Sequence, residues 1–195
     1  MVEFRIRAAG GRPVSLFDTM APLEEDDNLH VGRLLVLLSA FAGKDGKGSI
    51  DGITKLAKLD FLLRYPVNLE RALQVRANRG TDANVKDYER KSIESSMVRY
   101  RFGPWDFRYR RFLNSLIARG LAIVTIEGRT IKIMLTELGK ELAQQLSASP
   151  DFSVMADRSR LLKRHCDLTA TNLMKFIYET FPELSSMSSG KPILQ

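Results

Sequence analysis

Two histidines and one cysteine are the side chains of this 195-residue chain best suited to nucleophilic or metal chemistry. His165 and Cys166 are neighbours, but adjacent residues on a helix point about 100° apart and make no ready base–nucleophile pair. His30 falls inside an apolar helical stretch, where an imidazole is normally a satisfied core group. One cysteine allows neither an intramolecular disulfide nor a multi-cysteine zinc site. Asp60 and Asp106 stand alone, and no carboxylate cluster has metal-ligand spacing. The segment Gly43-Lys44-Asp45-Gly46-Lys47-Gly48-Ser49 invites two motif readings and satisfies neither. A phosphate-cradling P-loop needs Lys where Ser49 stands. A calcium loop would need oxygen ligands at Gly43 and Lys47 and a bidentate carboxylate at Thr54. The expectation is a protein that is not an enzyme and holds no cofactor and no metal.

Charge offers more. The net +7 is uneven: residues 1–51 sum to −2, 52–87 to +3, 88–119 to +5, 120–150 to zero and 151–195 to +1. A basic middle attracts phosphate, acidic protein or anionic lipid, and by itself does not choose among them. Within it, Arg99, Arg101, Arg108, Arg110, Arg111 and Arg119 interleave with Trp105, Phe107 and Tyr109. Arginines neutralise phosphates and release counterions, giving salt-dependent and largely sequence-independent affinity. Asn114 and Arg111 would reach base edges if their helix lay in a major groove. The candidate DNA- or partner-binding set is Arg99, Arg101, Phe107, Arg108, Arg110, Arg111 and Asn114, with Arg129 and Lys132 on a following hairpin. The same face suits an acidic protein partner equally. Lys55, Lys58, Arg71, Arg76 and Arg79 are candidates to extend the basic strip, and Arg158, Arg160, Lys163 and Arg164 read as a solvated helix face.

The elements that must position these residues are mostly helical. An arm, 1–27, holds one candidate strand over 2–7 and the acidic run at 24–27. Asn28 is placed to cap a helix running to Ala42 whose apolar residues point almost all round, so it is central and buried. Residues 43–49 form a loop, with Ser49 or Asp51 capping a second amphipathic helix that Tyr65-Pro66 stops. A short third helix spans 68–76, and 79–90 reads as polar and mobile. After Gly103-Pro104 a helix is expected from Trp105, with Trp105, Tyr109, Phe112, Leu113, Leu116 and Ile117 on its core face. Gly120 ends it in the left-handed conformation. Strands at 121–126 and 130–135 then flank Glu127-Gly128-Arg129, and Thr136 caps a helix from 137 to 146. Helix, tight stop, hairpin and capped helix is the order of a winged helix–turn–helix. Helices over 152–165 and 169–181 follow, then a polar tail over 185–190.

The fold expected is therefore mostly α with a small β-hairpin, an α+β protein with a winged-helix core. The division is an arm (1–27), the winged-helix core (28–147) and a C-terminal helical extension with polar tail (148–195). No apolar run exceeds 34–38, far short of the roughly 20 residues of a membrane span. Residues 1–12 lack the apolar centre of a signal peptide. A cytoplasmic protein with no membrane partner is expected.

Two stretches carry a resemblance: Lys55-Leu56-Ala57-Lys58-Leu59-Asp60-Phe61-Leu62-Leu63-Arg64-Tyr65-Pro66, and Val98-Arg99-Tyr100-Arg101-Phe102-Gly103-Pro104-Trp105-Asp106 leading into 116–121. Over roughly residues 50–147 the chain resembles the middle component of bacterial ABC three-component systems, the group that includes the Lamassu-type defence accessory subunit. The resemblance implies a non-catalytic subunit bridging an SMC-like ABC ATPase and an effector nuclease in defence against phage or plasmids. It assigns no role to any individual residue. Double-stranded DNA, held without sequence preference, is the further partner expected. The competing expectation is a stand-alone winged-helix transcription regulator that binds DNA as a dimer.

Overall fold

The computed structural model describes residues 27–43, 45–91, 97–100, 103–191 and 193. The arm and its candidate strand over 2–7 lie outside the described residues, apart from Asp27.

Helix α1 (Asp27–Ala42) is the hub. Leu34, Leu35, Val36, Leu37, Leu38 and Phe41 are all buried, which an apolar stripe around the whole helix requires. Asn28 lies inside this helix rather than capping it, and Leu29 stays 42% exposed. After the loop at 43–49, the chain makes a two-residue strand β1 (Ile50–Asp51), and Gly52 precedes α2 (Ile53–Arg64). Asp51 is thus spent on a strand, and the expected Ser49 or Asp51 cap is absent; Ser49 donates instead to the Asp51 carboxylate at 2.7 Å. Tyr65 ends α2 and Pro66 opens α3 (Pro66–Ala77), its missing N–H falling where a helix has no internal acceptor.

The segment expected to be mobile is built and clamped. Two short 3₁₀ turns, Gly80–Ala83 and Glu89–Lys91, lie along it. Arg90 grips Glu70 with two hydrogen bonds of 2.7 and 2.9 Å. Arg158, only 4% exposed, donates to the carbonyls of Ala83 and Asn84 and to both carboxylate oxygens of Glu89 at 2.7 Å. It is therefore no part of a solvated face. The R158A substitution should cost about 2–4 kcal/mol, because it strands Glu89 and two carbonyls. Hydrogen exchange should show faster exchange over 80–90 with α1 unchanged, and equal protection there would refute the clamp.

Strands β2 (Val98–Tyr100) and β3 (Gly103–Trp105) form a hairpin ahead of α4 (Tyr109–Ala118). The helix expected from Trp105 begins four residues later, because Trp105 is in the strand and Asp106–Arg108 make the turn. Strands β4 (Ala122–Glu127) and β5 (Thr130–Leu135) pair antiparallel, and β1 adds to β5 through Ile50↔Ile133, giving the order β1-β5-β4. Thr136 caps α5 (Glu137–Ala148), accepting from the Gly139 N–H at 3.0 Å. Gly139 is required there, since a Cβ would lie 1.9 Å from the Leu121 carbonyl oxygen.

Helices α6 (Pro150–Cys166) and α7 (Ala170–Thr180) complete the core through Leu162, Cys166, Leu173 and Ile177. The expected polar tail is a short helix α8 (Pro182–Ser186) followed by chain laid along β2. The Gly190 and Ile193 N–H groups donate to the Arg99 and Met97 carbonyls, and the Arg99 N–H to Lys191. Ile193 is buried at the end of that pairing. The architecture is a mostly α, α+β fold, with two small antiparallel sheets among the described residues. Among the described residues, no helix is long and apolar enough to cross a membrane.

Candidate nucleic-acid interface

Helix α4 is anchored from beneath. Tyr109, Phe112, Leu113 and Leu116 are buried, with Phe112 5.1 Å from the His30 ring of α1 and Tyr109 5.5 Å from the Trp105 ring of β3. His30 is a satisfied core histidine, its Nδ1 accepting from Arg33 at 2.9 Å. Ile117, expected in the core, is 42% exposed, because the helix ends as the chain turns into β4.

Beneath α4 lies a polar network that sequence spacing did not reveal. Asp60 of α2, with no exposed surface, accepts two hydrogen bonds from Arg33 of α1 at 2.6 and 3.0 Å. It also accepts the Tyr109 hydroxyl of α4 at 2.7 Å. Burial pushes the Asp60 carboxyl up, and Arg33, Arg64 and Tyr109 more than reverse this, holding it below the usual carboxylate range. Burial, with Asp60 beside it, raises the Tyr109 hydroxyl well above its ordinary value. Asp106 is a second hub, receiving Arg64 at 3.0 Å and the Arg108 backbone and side chain at 2.8–3.2 Å. Burial opposes its ionisation, but these donors keep its carboxyl far below the usual range. Neither aspartate is isolated. The legible signal was an aspartate within the apolar run of α2, which needs a buried cation from elsewhere.

The candidate residues divide accordingly. Arg110, Arg111 and Asn114 are exposed on the outer face of α4, and Arg119 is exposed just past its C-terminal end. Arg111 pairs with Asp27 at 2.6 Å in an open setting, and Arg119 donates to Asn28 at 3.1 Å. Arg129 is exposed beside Gly128 at the hairpin tip, where Ile126, 75% exposed, and Ile131 face each other across the strands. Phe107 is 67% exposed, as expected. Two further candidates are paired within the fold, and a third, Arg99, is half-buried. Arg108 is folded onto Asp106, whose hydrogen bonds raise its guanidinium pKa further. Arg99 lies in β2 beneath the C-terminal segment, its Nε buried with no hydrogen-bond partner among the described residues. Lys132 pairs with Glu127 at 2.6 Å across the hairpin. Arg101 lies outside the described residues.

The extended basic strip is also corrected. Lys55 and Lys58 are 6% and 2% exposed, and Lys55 pairs with Asp167 at 2.8 Å. Arg71 and Arg79 are tied to Glu183 and Asp82. Cys166 is buried, and burial pushes its thiol up to about 11, so it is not a thiolate at neutral pH. Among the described residues, no group of His, Cys, Asp and Glu is placed to hold a metal ion.

Compared with protein-family models, curated proteins and solved structures, the chain finds no match. What α4 and its hairpin can do rests on their own chemistry: three exposed polar or cationic side chains on one helix, Arg119 just past its end and Arg129 on the hairpin turn. Guanidinium groups so placed can donate to phosphate or carboxylate oxygens, and the Asn114 amide carries both donors and an acceptor.

Proposed function

We propose that this chain is a non-catalytic, cytoplasmic accessory subunit that holds duplex DNA by its backbone through a winged-helix unit and docks on partner proteins. One observation carries the reading: Arg110, Arg111, Asn114, Arg119 and Arg129 stand exposed on α4, just past its end and at the hairpin tip, while Arg64 and Arg108 are paired with Asp106. Helix α4 would be the recognition helix and β4–β5 the wing, with β1, α1 and α2 as the supporting frame. Contacts of this kind position a duplex and carry little sequence information.

The partners follow from the resemblance of 55–66 and 98–106 to the middle component of bacterial ABC three-component systems. They are an SMC-like ABC ATPase and an effector nuclease, with defence against phage or plasmids as the setting. ATP hydrolysis and strand cleavage would belong to those partners. Affinity isolation from the native host, read by mass spectrometry, should return such an ATPase and nuclease in fixed ratio. Recovery of a self-dimer bound tightly to one palindromic site would replace this reading with a winged-helix transcription regulator.

A further inference from the structure

A cleft of about 380 Å³ opens between α2 and the β3–α4 turn, lined by Thr54, Lys58, Pro104, Trp105, Phe107 and Arg110. Its floor is cationic. Lys58 is 2% exposed, and its ammonium donates to the Thr54 carbonyl at 3.1 Å. A lysine ammonium has three N–H donors, so two are left without a partner among the described residues. Among the described residues no carboxylate lines the cleft, and Arg110 of α4 is a second cation on its lining. Burial alone lowers the Lys58 amine to about 8. A buried cation without a counter-ion is costly, and an arriving anion would recover that cost. The walls are aromatic, with Trp105 half-buried and Phe107 open to solvent.

We propose that this cleft binds a nucleotide, its phosphate on Lys58 and Arg110 and its base against Trp105 and Phe107. Two cations on the lining of one cleft suit a group with several charged oxygens, and aromatic walls suit a planar base. The volume is at the small end of the range for small-molecule sites, about 300–1,000 Å³, which fits one nucleotide rather than a longer segment. The source is either a free nucleotide or the 5′-phosphorylated end of a strand, since both present the same base and phosphate. The site shares Arg110 with the duplex reading and differs from it at Lys58, which at 2% exposure is too deep to touch a duplex backbone.

Trp105 is the chain's one tryptophan, so its fluorescence reports on this cleft. Titrating the full chain with dAMP should give a saturable change. Adenosine should bind at least about tenfold more weakly, as should dAMP to K58M, each having lost a charged pairing. Binding should weaken as pH rises through about 8, where Lys58 loses its proton. K58M should retain duplex DNA like wild type, which separates this site from the α4 surface. If K58M does not fold, R110Q, changed at the exposed rim, should weaken dAMP by about threefold or more. A 5′-phosphorylated oligonucleotide binding tighter than dAMP assigns the strand end, and equal affinity the free nucleotide. No response to either ligand at millimolar concentration would overturn the proposal. So would equal affinity for adenosine, unaltered binding to both variants, or tighter binding of an aromatic carboxylate such as N-acetylphenylalanine.

Discussion

Replacing Asp60 with alanine should cost the fold about 3–5 kcal/mol, the loss typical when one partner of a buried ion pair is removed. The carboxylate has no solvent access and holds three helices at one point: α1 through two hydrogen bonds from Arg33, α2 through its own backbone, and α4 through the Tyr109 hydroxyl. Without it the Arg33 guanidinium, 5% exposed, loses the two hydrogen bonds and the opposite charge that Asp60 supplies. Y109F removes one hydrogen bond to a charged acceptor and should cost less, about 1.5–3 kcal/mol. R33M/D60L should be less damaging than D60A alone, because it removes both charges and keeps the volume. Urea denaturation at constant slope measures all three, and D60A within about 1 kcal/mol of wild type would refute the network's importance. The pH dependence has a defined sign. Asp60 and Asp106 titrate below the usual carboxylate value of about 3.9 when folded. Their contribution is complete above that value and is lost as pH falls through their lowered folded values.

Local pattern carried most of the element order. Periodicity placed α1, α2, α6 and α7, Thr136 and Gly120 marked helix ends, and Glu127-Gly128-Arg129 marked a hairpin turn that β4 and β5 close. These signals are short-range, so one chain suffices to read them. What failed was long-range. Arg33 and Asp60 are 27 residues apart, Arg64 and Asp106 are 42, and Arg158 and Glu89 are 69. An arginine that clamps a buried carboxylate has the same letter as one that faces solvent, and composition cannot separate them. The candidate set therefore mixes two kinds of residue: Arg110, Arg111, Asn114 and Arg129 face outward, Arg108 and Lys132 are paired with Asp106 and Glu127, and Arg99 is half-buried in β2. The polar tail expected over 185–190 was misread for the same reason, since its residues belong to a short helix and to chain whose backbone pairs with β2.

That division sets the second large effect. Charge reversal of the outward residues, R110E/R111E/R129E, should weaken retention of duplex DNA at low salt by about a hundredfold or more, equally for unrelated sequences. The neutral version, R110Q/R111Q/R129Q, should flatten the slope of log affinity against log salt by about 2.7, near 0.9 for each phosphate contact surrendered. Both triples should fold normally. Among the described residues their ion pairing amounts to Arg111 with Asp27, each side chain more than a third exposed, and such a pair contributes little. R108E should behave in the opposite way. It places a carboxylate against Asp106, which Arg64 and Arg108 together hold ionised, so the loss should fall on stability rather than on the salt slope. Fluorescence anisotropy across a salt series and a urea melt separate the two outcomes. Unchanged retention in both triples would move the face to protein contact, since arginines that release no counterions are not touching phosphate. Equal loss from R108E and the triples would instead mean that retention tracks folding, and the exposed arginines would then carry no special part in it.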